Sequence, residues 1–142
     1  MKVISTFLTF LILLVPVMAQ DYDMELVTDE LRDPWGMAFL PDGDILVTEH
    51  AGRLRLIRDG KLQPAPIAEI DGVYQKSQGG LFDVVLHPDF AINRLVYLSF
   101  ATGIAERNAT KLIRAKYIND ALSDIETVYV SDERSRPAHY GG

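Results

Sequence analysis

The chain contains no cysteine, so neither disulfides nor thiolate chemistry are open to it, and a domain of this kind is held by packing or by metal. A concentrated positive face is missing too. Fourteen Lys and Arg stand against 20 Asp and Glu, a net charge of −6, and basic residues nowhere cluster with aromatics, which excludes nucleic acid as the expected partner. There is no glycine-rich phosphate loop, no His-Glu-x-x-His, no Gly-x-Ser-x-Gly elbow and no dinucleotide fingerprint, so the chemistries those motifs carry have no foothold here. Helical apolar periodicity is also lacking after the first residues.

The one long apolar run lies at the start. Lys2 supplies a positive beginning, Phe7 to Met18 is almost wholly apolar, and Val17-Met18-Ala19 offers small residues for cleavage, which reads as a secretion signal over residues 1–19. A membrane anchor is the competing reading. The run from Val3 to Met18, followed at once by Asp21 and Asp23, falls short of the roughly 20 residues that cross a bilayer. The expectation is an exported protein, periplasmic or extracellular, with no membrane span in the mature chain.

Residues 20–142 read as short strands between turn signals, hence all-β. Trp35–Leu40 is apolar, Pro41-Asp42-Gly43-Asp44 turns the chain, Ile45–Thr48 returns, Ala51-Gly52 turns again, and Arg53–Arg58 follows, closed by Asp59-Gly60. The pattern then repeats. Leu81–Leu86 is apolar around Asp83, His87-Pro88-Asp89-Phe90 begins the connection, and Leu95–Phe100 returns. Pro88 follows Pro41 by 47 residues (88 minus 41), the spacing of a four-stranded propeller blade of about 40–50 residues. Lys111–Ile118 and Glu126–Ser131 are further strands of the second unit, with breaks at Asn119-Asp120 and Ser123-Asp124. Blades bury their faces on one another, and two cannot close a ring. The expectation is therefore a truncated β-propeller, about its first two blades, ending on Gly141-Gly142.

Four segments carry a resemblance: Pro34-Trp35-Gly36-Met37-Ala38-Phe39-Leu40-Pro41-Asp42-Gly43; Leu46-Val47-Thr48-Glu49; Gln78-Gly79-Gly80-Leu81-Phe82-Asp83-Val84-Val85-Leu86-His87-Pro88-Asp89-Phe90, continued by Asn93-Arg94-Leu95-Val96-Tyr97; and His139-Tyr140-Gly141-Gly142. The third is the most specific. Together they resemble the soluble glucose and sorbosone dehydrogenases that use pyrroloquinoline quinone (PQQ). The resemblance implies a six-bladed propeller with the quinone in a central cleft and calcium helping to hold it. It also implies a histidine base, corresponding to His139, and a substrate-side glutamine, corresponding to Gln78, with most quinone and calcium contacts beyond residue 142. Ala138 and Tyr140 depart from the residues commoner around that histidine in the family.

The chemistry of the residues fits these roles. A neutral imidazole titrates near working pH and can take the proton of an alcohol as hydride leaves; the alternative for His139 is an exposed histidine at a loop end. Gln78 precedes Gly79-Gly80, where missing side chains leave room beside an amide that both donates and accepts, as sugar hydroxyls require. Asp83, if buried in its apolar strand, needs a partner, and structural hydrogen bonding is at least as good an account of it as catalysis. His87 and Asp89 are assigned to the turn, with the Asp89 carboxylate as its cap, and His50 is read as exposed. Asp42-Gly43-Asp44 and Asp71-Gly72 are turns rather than calcium loops, and Trp35 packs a blade rather than stacking on sugar. Asn108-Ala109-Thr110 matches a glycosylation sequon and marks a surface loop.

The leading expectation is an exported aldose dehydrogenase that oxidises a sugar at its anomeric carbon to a lactone and passes electrons through the quinone to an external acceptor. Two alternatives stand beside it: a non-catalytic propeller binding carbohydrate or protein, and a metal-dependent lactonase-type propeller.

Overall fold

The structure, a computed structural model, describes residues 22–133 and Tyr140. The expected signal segment and His139 lie outside the described residues. Two antiparallel sheets follow one another along the chain. In the first, β1 (Pro34–Phe39), β2 (Ile45–Glu49) and β3 (Arg53–Arg58) form a meander. Its outer edge is shared by two short strands, β4 (Lys61–Leu62) and β5 (Ala68–Glu69), which both pair with β3. Pro64 and Pro66 lie between them; proline has no N–H for a ladder, so the fourth strand is broken in two and escapes a pattern search. The second sheet runs β6 (Leu81–Leu86), β7 (Leu95–Ile104), β8 (Arg107–Ile118) and β9 (Ala121–Val130) in that order.

The repeat seen in the sequence is a structural one. Pairing of β1 with β2 is irregular between Pro34 and Met37, and pairing of β6 with β7 is irregular between Leu81 and Val84; adding the 47-residue offset to Pro34 and Met37 gives Leu81 and Val84. Each sheet thus carries a bulge near the start of its first strand, where a bulge bends the strand and increases its twist. The expected turn at Pro41–Asp44 is present. Leu40 N–H donates to the Asp44 carbonyl (2.8 Å) and Gly43 N–H to the Leu40 carbonyl (3.0 Å), and Gly43 takes φ +95°, which glycine adopts without strain.

The chief departures lie in the second sheet. Its β6–β7 connection contains one short helix, α1 (Phe90–Asn93), capped without a side-chain bond from Asp89. His87 does that work: its Nδ1 accepts the Asp89 N–H (3.0 Å) and lies 2.9 Å from the Asn93 amide nitrogen. No break interrupts β9 at Ser123-Asp124, where Asp124 takes φ +50° within an irregular stretch of pairing. The sequon does not mark a surface loop. Asn108 lies inside β8 and is 0% exposed, because its side chain turns into the sheet-covered interior.

The two sheets share one core. Leu40, Leu46, Leu54 and Leu56 of the first pack with Leu81, Val84, Leu98, Phe100 and Ile113 of the second. Fully burying such side chains contributes about 1.5–3 kcal/mol each. The first strands approach closely: a Cβ on Gly36 would sit 3.0 Å from the Asp83 Cα and 3.1 Å from the Phe82 carbonyl oxygen. Thr48 bridges the same gap, since its hydroxyl accepts the Gly36 N–H (2.9 Å) and donates to the Phe82 carbonyl. On the far face of β1, Trp35, Met37 and Phe39 are exposed, an apolar row of the kind that adjacent blades cover in a propeller.

Candidate functional site

The starts of β1 and β6 lie at the same end of the molecule, and the loop that carries Gln78 leads into β6 there. Backbone bonds tie three segments into one rim: His50 N–H donates to the Asp33 carbonyl, and Leu81 N–H to the His50 carbonyl, both at 3.0 Å. A third, Ala101 N–H to the Gly80 carbonyl at 2.9 Å, adds the middle of β7.

Gln78 is exposed on this rim. It sits in a two-residue loop closed by paired backbone bonds between Lys76 and Gly79 (3.1 and 2.9 Å), and Ser77 ahead of it takes φ +59°. Both following glycines are required by close approach. A Cβ at Gly79 would come 2.6 Å from the Tyr74 carbonyl oxygen, and one at Gly80 would collide with the His50 ring. The amide of Gln78 is therefore presented to solvent from a backbone fixed on both sides.

Contrary to the sequence expectation, His50 is half-buried. Its ring stacks on Trp35, with centroids 5.3 Å apart and planes at 15°, and its Nε2 is buried with no partner among the described residues. The turn that carries it is pinned by its neighbour Glu49, 0% exposed, whose carboxylate accepts the Arg32 N–H (2.8 Å) and pairs with Arg53 and Arg55. Burial alone would push this carboxyl up, but the Arg32 N–H and the two guanidinium groups outweigh it and hold the carboxyl below the usual glutamate range.

The aromatic run continues from His50 through Phe82 to Tyr140, with centroids 6.4 and 5.9 Å apart. Tyr140 is buried against Phe82 and Ala101, with Tyr74 packed beside them. Tyr74 belongs to the loop that carries Gln78, and Tyr140 is the residue after His139. The structure thus packs Tyr74 and Tyr140 against one cluster; His139 itself lies outside the described residues. Asp83 is exposed on β6, so it needs no buried partner, and its backbone N–H reaches the Ser99 hydroxyl (3.3 Å).

Sequence reasoning missed His50, Asn108 and Tyr140 as parts of this end of the molecule. Two signals pointed toward them. Adjacent glycines at 79 and 80 imply that something presses on the backbone there, and Asn108 and Thr110, two apart in a strand, share a face. Among the described residues no three of His, Asp and Glu stand together as a metal-binding group. No helix among them is long and apolar enough to cross a membrane.

Comparison with known proteins bears on the family and the fold. Residues 31–142 match the model of the glucose / sorbosone dehydrogenase family. The chain is 37% identical over 125 residues to the aldose sugar dehydrogenase YliI of Escherichia coli, covering 84% of this chain and 34% of that protein. Among solved structures, a glucose dehydrogenase superposes with a TM-score of 0.76 at 39% identity, over 83% of this chain and 36% of its own. The PQQ-bound aldose sugar dehydrogenase of Streptomyces coelicolor gives 0.67 at 26% identity, over 76% of this chain and 33% of its own. The chain spans about a third of the length of the curated relatives it matches. Its two sheets are propeller blades, and the chain belongs to the glucose / sorbosone dehydrogenase family.

Proposed function

We propose that the full-length protein is an exported aldose dehydrogenase, in which His139 is the general base and Gln78 a substrate ligand. One observation carries the reading for this chain: Gln78 is exposed on a loop whose Tyr74 packs with Tyr140, the residue beside His139, in a chain of this family. PQQ, which the Streptomyces coelicolor relative binds, would supply the hydride acceptor when bound, and an external acceptor would then take the two electrons.

The chain's own residues have three tasks. Gln78 donates to one sugar hydroxyl and accepts from another, which fixes the ring's orientation. His139 takes the proton of the anomeric hydroxyl; the C1–H bond breaks with its electron pair leaving as hydride, and the C1–O bond becomes the lactone carbonyl. The glycines at 79 and 80 let the loop pack closely on Tyr74 and His50, which fixes the backbone that carries the amide. An acidic quinone calls for basic and amide contacts, which this reading expects beyond residue 142. Among the described residues no three of His, Asp and Glu stand together to hold calcium. The 142-residue chain alone is expected to be inactive.

The test is aldose-dependent dye reduction by the full-length protein reconstituted with PQQ and calcium. Turnover should vanish in His139→Ala. Undiminished turnover there removes His139 from the mechanism, and failure of the parent protein to bind PQQ removes the quinone reading altogether.

A further inference from the structure

The polar residues of the Asn108-Ala109-Thr110 triplet do something that a sequon does not explain. Asn108 is 0% exposed, and a buried amide is costly unless its groups are satisfied. Its Nδ2 donates to the carbonyls of Ile104 (3.3 Å) and Ala105 (3.2 Å), which sets the amide's orientation and turns Oδ1 the other way. There Oδ1 accepts the Tyr140 hydroxyl at 2.8 Å. Two residues on, and on the same face of β8, Thr110 donates its hydroxyl to the Tyr140 main-chain carbonyl, also at 2.8 Å. The Thr110 backbone is itself held, its N–H donating to the Ser131 hydroxyl (3.0 Å).

Tyr140 is therefore held at its phenol, at its carbonyl and, through Phe82 at 5.9 Å, over its ring. A buried tyrosine needs partners for its hydroxyl and its main-chain carbonyl alike, and here side chains of one strand, β8, supply both. Holding the carbonyl as well, by a side chain rather than a sheet ladder, fixes where the main chain runs. The residue bonded to its nitrogen is His139, so what holds the Tyr140 main chain limits where its neighbour can lie. We propose that Asn108 and Thr110 are positioning residues that act through Tyr140 on the base assigned to His139. The proposal rests on the reading of His139 as the base.

Tyr140→Phe removes one tie while keeping the ring on Phe82; Thr110→Val removes the other with little change of shape, and Thr110→Ser restores the hydroxyl. In full-length protein loaded with PQQ and calcium, with D-glucose as the probe aldose, Tyr140→Phe and Thr110→Val should each lower kcat about tenfold, short of the roughly hundredfold that a 1 Å misplacement can cost. KM should stay within about twofold, in line with an effect on orientation rather than binding. The pH dependence of kcat should shift with them, and Thr110→Ser should recover the parent values. Variants that melt lower yet keep the parent kcat and pH profile overturn the proposal. A second readout does not need turnover: the His139 imidazole Cε1–H resonance, assigned by its loss in His139→Ala, should shift or broaden in Thr110→Val and return in Thr110→Ser. An unchanged resonance also overturns the proposal. His139→Ala separates the two levels. Full turnover in that variant defeats the base assignment, whereas an inactive His139→Ala beside a parent-like Tyr140→Phe defeats only the positioning role.

Discussion

Arg58 of the first blade grips Asp120 of the second through two parallel hydrogen bonds, Nη1 to Oδ2 at 2.8 Å and Nη2 to Oδ1 at 2.9 Å. Its Nε reaches back to Asp44 at 2.7 Å, and the Tyr117 hydroxyl donates to Asp120 Oδ1 at 2.8 Å. One guanidinium therefore joins two blades that also share an apolar core and the bonds of Thr48 and His50 to β6.

This contact predicts an acid-sensitive seam. The Arg58 bonds, followed by that of Tyr117, hold the Asp120 carboxyl down at about 2. A folded pKa below the unfolded value of about 3.9 contributes stability that is present above pH 3.9 and is lost as pH falls toward 2. Asp120→Asn should flatten the acid limb of a melting curve over that window. Because the pair is partly exposed, the melting midpoint at neutral pH should fall by no more than about 3 °C. An unaltered acid limb would show that the seam carries no linkage.

Glu49 should be costlier to lose. Its carboxylate is fully buried beneath Arg53 and Arg55, and deleting one partner of a buried ion pair costs about 3–5 kcal/mol. Glu49→Ala should therefore lower the denaturation midpoint well beyond the Asp120→Asn effect. Since its folded pKa is also depressed, the stability it contributes is lost as pH falls below the unfolded value of about 4.3. Chemical denaturation at several pH values measures both effects.

The pressing of His50 on Gly80 predicts a paired mutational effect. Gly80→Ala forces the ring off its place, and overpacking costs about 1–3 kcal/mol. Removing the ring as well, in His50→Ala/Gly80→Ala, should recover part of that loss. Simple addition of the two single-variant penalties would mean that the two residues do not interact.

Gln78 offers the opposite test. It is exposed and its loop is closed by backbone bonds, so Gln78→Ala should leave the melting midpoint unchanged. If its amide orients the sugar, KM should rise about two- to thirteenfold, the loss of about 0.5–1.5 kcal/mol of net hydrogen bonding. Steady-state kinetics on the full-length protein distinguish this from an idle loop residue.

Much of the fold is legible in the sequence. Arg53–Arg58 and Leu81–Leu86 are delimited correctly because polar and apolar residues, or a continuous apolar run, stop at glycine or proline turns, and those signals are local. The 47-residue repeat even locates the matching bulges. The divided strand after Gly60 is not legible, since prolines erase its period, and β7 and β9 run longer than their apolar cores suggest because their ends are held by partner strands.

By itself, then, the sequence determined the blade pattern, the family and the exposed Gln78 loop, all of which depend on neighbours within a few residues or on a repeated spacing. Tertiary structure alone decided that Asn108 is buried, that His50 stacks on Trp35, and that Arg58 joins Asp120. Each of those depends on groups far apart in the chain. Whether a polar side chain faces water or a partner is set by what the fold lays over it, and nothing in its own neighbourhood records that.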